Sequence, residues 1–383
     1  MSRGLGRSHA PHLLVVVTGI VALLVTMEAA ARVVVYGLEY WATDSRINAD
    51  GYGGADWTKE YYREFRDSAQ LEWEPFVYWR SRPYAGRFIN IDARGHRRTW
   101  APPSLPAMHP RVFVFGGSTV WGSGARDDYT MPSLLARGLA DSGRAAEVVN
   151  YGDTGYVSRQ SLTLLMTELF EHRVPDVVVI EAGVEDTFSA LQSGRAGIPQ
   201  NEDNRRIEFN AAQPERVAQQ WQYATAGLTT LSGELRRMLL PGTATAQPVA
   251  ASAGDALAAD VVDTYCSEVR TVVALGREYG FLPVFIWQPV AFTKQQPTAY
   301  ERSATRAYEY ARPFFTRVYQ RVHDQGGCRG AQVDDLSHLF DREDGPMFLD
   351  AFHLTEEGNR RLAAAILPSV ATALPSSGPP DSQ

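Results

Sequence analysis

The run PDVVVIEAG, residues 175 to 183, constrains the fold more than any other stretch of this chain. Its apolar residues follow one another without alternation. A strand with one wet face alternates apolar and polar; a strand covered on both faces does not. The run therefore belongs inside a sheet with helices on either side. RVFVFGG (111 to 117) and FLPVFIWQP (281 to 289) have the same character, and EVVNYG (147 to 152) is a shorter example. Helical patterns separate them. YTMPSLLARGLADSG opens on Thr130 as a cap, and SRQSLTLLMTELFEH sets Leu162, Leu165, Met166 and Leu169 on one side. This β-α-β-α-β order predicts an α/β fold, a three-layer α/β/α sandwich around a parallel, flavodoxin-like sheet.

The alternation stops at residue 188. A helical insertion is expected over 188–260. It holds a helix from Pro214 to Leu240 and then PGTATAQPVAASAGDALAAD (241 to 260), whose small, Pro- and Gly-bearing composition reads as a flexible linker or lid base. The pattern resumes with a helix over 260–279, the strand FLPVFIWQP, a long helix over 300–324 and the short strand AQVDDL. A last helix follows DAFHLTEEGNRRLAAAIL, with Thr355 as its cap and Glu356 and Glu357 in its first turn. The main domain thus spans 111–373, and the tail 374–383 reads as disordered.

Arg3 and Arg7 precede the uncharged run LLVVVTGIVALLVTM, and apolar character continues past Glu28 to Leu38. Glu28 and Arg32 stand four apart and can pair on one helix face. The reading is an uncleaved signal anchor over 1–40, with a cleaved signal peptide as the alternative. In both, the arginines stay inside and the rest of the chain lies outside the cytoplasmic membrane, periplasmic or extracellular. Residues 41–110 form an arm rich in aromatics and arginine. It is read as packing on the main domain, ahead of a surface that stacks on sugars. Arg94, Arg97 and Arg98 in ARGHRRTW read as a solvated turn.

A net charge of −7 offers no basic stripe for nucleic acid. The two cysteines, Cys266 and Cys328, are too few for a metal cluster or a disulfide scaffold. They precede FLPVFIW and AQVDDL, which are expected as neighbouring strands, so the pair is predicted to lie within bridging reach.

The turn GGSTVWGSG (116 to 124) follows the first strand, at the carboxyl end where open sheets bind ligands. The lysine of a phosphate-binding loop is missing, and so is the dinucleotide spacing, so no cofactor is expected. What remains is a nucleophile, Ser118, or a plain turn. A nucleophilic serine needs a base. Of eight histidines, His9 and His12 precede the membrane segment, and His172 and His323 sit at helix ends. His353 lies on a loop three residues after Asp350, a spacing that lets the carboxylate orient the imidazole.

Four ordered segments resemble the SGNH hydrolases, also called the GDSL esterase/lipase family, over roughly 111–367. FGGSTVWG resembles the first block, with Gly117 where the family usually has Asp, a variant associated with membrane-anchored bacterial members. VVNYGDTGYVSRQ resembles the second block, VVVIEAGVEDTF the third and FLDAFHLTEEGNRRLA the fifth. The resemblance implies Ser118, His353 and Asp350 as nucleophile, base and orienting acid. It implies backbone N–H groups of Ser118 and Gly155 as an oxyanion hole. In the third block Gly183 and Asp186 match, but Glu185 stands in the oxyanion position where the family has an asparagine. An ionised carboxylate cannot donate and opposes the charge that forms there. The implied function is an extracytoplasmic serine ester hydrolase acting on O-acyl groups of an envelope or extracellular polysaccharide. The alternatives are acyl transfer onto such a polysaccharide, and a catalytically idle polysaccharide-binding protein.

Overall fold

The computed structural model describes residues 10–41, 44–211 and 251–375. The segment read as a helix over Pro214–Leu240 lies outside these residues, as do Arg3 and Arg7. The chain divides into two compact units, one of residues 1–43 and 203–247, the other of 44–202 and 248–383.

In the first unit, helix α1 spans Ala10–Trp41. Its segment Val15–Val33 has mean hydropathy 1.8, long and apolar enough to cross a membrane. Arg32 Nε donates to Glu28 Oε1 at 2.9 Å, the pairing their spacing predicts.

In the second unit the arm comes first. Helix α2 (Thr58–Ser68) is followed by the hairpin β1 (Leu71–Glu74) and β2 (Tyr78–Ser81), then by the short pair β3 (Tyr84–Ala85) and β4 (Asn90–Ile91). The main sheet consists of β5 (Arg111–Phe115), β6 (Glu147–Asn150), β7 (Val177–Ala182), β8 (Leu282–Trp287) and β9 (Asp334–Asp335). Its order is β6-β5-β7-β8-β9, with every pairing in it parallel, the flavodoxin-like order.

Burial explains the unbroken apolar runs. Val112, Val114, Val177, Val179, Val284 and Ile286 pack on one face, against Leu135 and Leu139 of α4 (Met131–Asp141) and Leu362 and Ile366 of the helix Glu356–Ala373. The residues between them, Phe113, Phe115, Val178, Ile180, Phe285 and Trp287, pack on the other face. There they meet Leu165 of α5 (Ser158–Phe170), Val184 of α6 (Val184–Ser193), and the helices Ala251–Tyr279 and Arg312–Gln325. Because successive strand residues point to opposite faces, a strand with two covered faces is apolar along its run, with Glu181 near the end of β7 the buried exception. Thr130 and Thr355 cap as predicted, accepting from Ser133 N–H and Gly358 N–H at 3.4 and 3.0 Å.

Three expectations are corrected. The segment 251–260, read as part of a linker, already belongs to the helix Ala251–Tyr279. Its alanines are strong helix formers, and Leu257 and Ala258 are buried in the core. The helix over 300–324 is two helices, Ala299–Ala304 and Arg312–Gln325, because Pro313 is tolerated in a first turn and not in an interior. The ordered body also runs past residue 373: Leu374 is buried, and its carbonyl accepts from Arg144 Nη2 at 2.8 Å.

Strands β8 and β9 pair as expected, and Cys266 and Cys328 form a disulfide with Cα atoms 5.2 Å apart. It closes a loop of 62 residues. Reducing it should lower the unfolding free energy by roughly 2–4 kcal/mol, chiefly by freeing the unfolded chain. Urea midpoints with and without reductant read this directly, and an unchanged midpoint would show that packing alone fixes the two segments.

Candidate active site

Strand β5 delivers Gly116 and Gly117 into α3, a single helical turn over Ser118–Trp121. Ser118 is 7% exposed at its start. Its Oγ lies 2.8 Å from His353 Nε2, and His353 Nδ1 lies 2.7 Å from Asp350 Oδ2. Residues far apart in the chain thus form one hydrogen-bonded line from hydroxyl through imidazole to carboxylate. The other carboxylate oxygen, Asp350 Oδ1, accepts the backbone N–H groups of Phe352 and His353, each at 2.9 Å. Burial alone would raise the Asp350 pKa, but the charge and hydrogen bonds of His353 outweigh it, with Arg46 adding to them. The carboxyl is held well below its usual range.

The loop carrying these two residues is fixed from below. Leu349 N–H donates to the His353 carbonyl at 2.8 Å. Just upstream, Met347 N–H and Phe348 N–H donate to Glu301 Oε1 at 2.9 and 3.1 Å. Glu301 is in turn paired with buried Lys294, whose Nζ lies 2.8 Å from Oε2. A buried ion pair with satisfied oxygens holds its surroundings in one geometry.

Glu185, at the start of α6, faces Ser118. It is 3% exposed, and its Oε1 accepts from Ser118 N–H at 2.9 Å and lies 3.0 Å from Ser118 Oγ. A Cβ at Gly117 would lie 2.0 Å from the same oxygen, so with Glu185 in this position only glycine fits before the serine. Burial pushes the Glu185 pKa up, and the Ser118 N–H pulls it partly back. Glu181, at the end of β7, is buried too, and burial and the nearby Glu185 push it up to about 8.

The serine hydroxyl has one proton and two neighbours able to accept it. If Glu185 is ionised it takes that proton in a hydrogen bond, and His353 Nε2 must then be protonated to meet Oγ. If Glu185 is neutral, its Oε1 can still accept the Ser118 N–H, and the hydroxyl is free to donate to His353. Only the second arrangement leaves the imidazole able to act as a base. The state of Glu185 therefore sets the direction of the Ser118–His353 hydrogen bond.

The loop after β6 is stitched to the Ser118 turn. Asn150 Nδ2 donates to the Val120 carbonyl at 2.9 Å, and Asp153 N–H to the Gly116 carbonyl at 3.2 Å. Gly155 in this loop has φ of +78°, a conformation glycine adopts without strain. Asp186 accepts from Ser158 N–H at 2.9 Å and Gly183 N–H at 3.2 Å, tying α5 to the end of β7. It thus has a bracing position.

Two arginines of the arm escaped the sequence reading. Arg97, read in a solvated turn, is 1% exposed. Its Nη1 donates to the carbonyls of Trp121 and Gly122 at 3.1 and 2.7 Å, its Nη2 to Ala125 at 2.6 Å, and its Nε to Asp127 at 3.0 Å. It stacks 4.3 Å from the Trp121 ring. A short helix leaves its last carbonyls without partners, and Arg97 supplies them. Arg46 reaches Asp350 Oδ2 at 3.4 Å across 304 positions of sequence, a separation that no local pattern signals. A cavity of about 820 Å³ beside β6, lined by His96, Trp100, His109 and Tyr151 among others, includes none of Ser118, Asp350 and His353.

The model of the GDSL-like lipase/acylhydrolase family matches residues 112–366. A search of curated proteins found no match. Among solved structures, the acetyl xylan esterase AlAXEase aligns with 68% of this chain and 99% of its own, at 15% identity and TM-score 0.39. Axe2, an acetylxylan esterase from Geobacillus stearothermophilus, aligns with 70% of this chain and 97% of its own, at 14% identity and TM-score 0.36. TesA aligns with 69% and 99%, at 18% identity and TM-score 0.33.

Proposed function

The chain belongs to the GDSL-like lipase/acylhydrolase family, and from that premise we propose an extracytoplasmic serine ester hydrolase acting on O-acyl groups of an envelope or extracellular polysaccharide. The observation that carries the reading is the line from Ser118 Oγ through His353 to Asp350, at 2.8 and 2.7 Å. In this reading Ser118 attacks the acyl carbonyl as His353 takes its proton. Asp350 keeps the imidazole in the right tautomer and stabilises its charge. The N–H groups of Ser118 and Gly155 stabilise the tetrahedral oxyanion, the Ser118 N–H turning to it from Glu185 Oε1, which it meets at 2.9 Å beforehand. His353 then gives its proton to the departing sugar oxygen. Water, deprotonated by the same imidazole, cleaves the acyl-enzyme and regenerates Ser118.

Two features support the location. Helix α1 has the length and hydropathy of a membrane span, and the Cys266–Cys328 bridge belongs to oxidising compartments. Trp73 and Phe76 of the β1–β2 hairpin, 67% and 81% exposed, are aromatic faces of the kind on which sugar rings stack, which supports the substrate class.

A charged fluorophosphonate that cannot cross the cytoplasmic membrane tests both parts. Spheroplasts expressing the full-length chain should be labelled at Ser118, with no labelling of Ser118→Ala. Labelling only after lysis would place the site on the cytoplasmic side. No labelling in either state would remove the serine nucleophile.

A further inference from the structure

The arm lies outside the family-matched segment, yet it reaches the acid of the proposed triad. Asp44 accepts from Arg46 through Nε at 3.0 Å, Nη2 at 2.7 Å and the backbone N–H at 2.9 Å. This fork fixes the guanidinium plane. The remaining nitrogen, Nη1, lies 3.4 Å from Asp350 Oδ2, the oxygen that meets His353 Nδ1. The rings of Tyr62 and Phe65 stand 5.1 and 5.2 Å from the guanidinium carbon. The cation is thus held on two sides by aromatic rings, on a third by Asp44, and directed at Asp350.

We propose that Arg46 is a positioning residue for the hydrolytic reaction, clamping Asp350 Oδ2 so that the carboxylate faces His353 and tempering the negative field the imidazole feels. The proposal rests on the triad reading above. Asp350 Oδ1 is occupied by two backbone N–H groups, and Oδ2 by His353 alone if Arg46 is absent. One oxygen would then be free to pivot, carrying the imidazole with it. Removing the cation would also leave the carboxylate charge uncompensated beside His353, which favours the imidazolium.

Arg46 faces Asp350 from the arm and is itself faced by Asp44, Tyr52, Tyr61 and Tyr62, while Tyr300 and Tyr308 face Asp350 from the segment after β8. Glu185 faces His353 from α6. Burial raises the pKa of all five tyrosines, Tyr300 to about 12, so they stay neutral across the working range. Glu185 is also raised by burial, so its ionisation falls to the alkaline side of its ordinary range. Histidine NMR separates the imidazole next to Asp350 from Glu185, which a rate profile alone does not.

The test compares Arg46→Gln and Arg46→Lys in the full-length chain, by kcat/KM against pH for a p-nitrophenyl ester. Arg46→Gln should lower kcat by up to about 100-fold through misplacement. It should also move the acid limb to higher pH by about one unit. Arg46→Lys keeps the charge and loses the fork, so it should restore the limb while leaving kcat reduced. The same titration followed by NMR of labelled histidine needs no substrate, so it reads the Arg46–Asp350–His353 coupling even if hydrolysis of the ester fails. A lower kcat in Arg46→Gln with the limb and the imidazole titration unmoved would make Arg46 a structural brace only and overturn the proposal. An unchanged kcat and limb would overturn it as well.

Discussion

Ser118→Ala and His353→Ala should each lower kcat for ester hydrolysis by roughly 10⁴–10⁶-fold while the protein stays folded. The reason is the shared proton. Ser118 Oγ and His353 Nε2 are 2.8 Å apart, and neither is a useful nucleophile or base without the other. The double variant should therefore be little worse than either single one, because the second substitution removes nothing that still functions. Ser118→Ala keeps the backbone N–H that Glu185 accepts at 2.9 Å, so the turn should hold its place. Circular dichroism and thermal melts confirm the fold, and active-site titration excludes traces of unaltered enzyme. A Ser118→Ala protein retaining a tenth of the activity would dismiss the nucleophile, and additive losses in the double variant would dismiss the coupled pair.

Glu185→Asn should raise kcat, by about 100-fold or more at alkaline pH and by much less at acidic pH. The substitution exchanges a group that can repel an oxyanion for one that donates to it, and a single such donor contributes roughly 100- to 1000-fold in hydrolases. The sign with pH follows from burial. The Glu185 pKa is raised, so the neutral carboxyl persists below that raised value and the repelling carboxylate appears only above it. The unaltered enzyme should lose rate through that ionisation, and the variant should not. The gain therefore grows as pH rises. The ionised form also draws the serine proton away from His353, at 3.0 Å from Ser118 Oγ, which adds to the alkaline loss. Removing Glu185 also relieves Glu181, whose own ionisation is opposed by its neighbour. A large fall in kcat at every pH, in a folded variant, would instead mean that the carboxyl group takes part in the reaction.

Much of this was legible in the order of residues. The sheet could be read because a strand covered on both faces has no polar period to confuse it. Its parallel direction followed from the helices between successive strands. Ser118 and the Asp350–His353 pair could be read because a tight glycine turn and a three-residue spacing are local signals. Glu185 could be located but not oriented, and the structure turns it toward Ser118. What failed was not local. Residues 251–260 look like a linker until the core that buries Leu257 and Ala258 is present. Arg97 looks solvated until the carbonyls of Trp121, Gly122 and Ala125 converge on it. Arg46 meets Asp350 only because the arm folds back across the domain, and a spacing of 304 residues leaves no periodic trace.

The arm has a consequence for how such a chain can be inherited. Arg97 holds the carbonyls after Ser118, Tyr52 accepts the same task at Gly124, whose carbonyl lies 2.6 Å from its hydroxyl, and Tyr61 receives the Gly124 N–H at 2.8 Å. The family-matched segment begins only at residue 112. A recombination event that cut there would transplant Ser118 without the side chains that complete its turn. The structural module is therefore longer than the recognisable domain: it reaches back through Arg97 and Tyr61 to Tyr52, and a gene fusion that preserves the turn must carry those residues along with it.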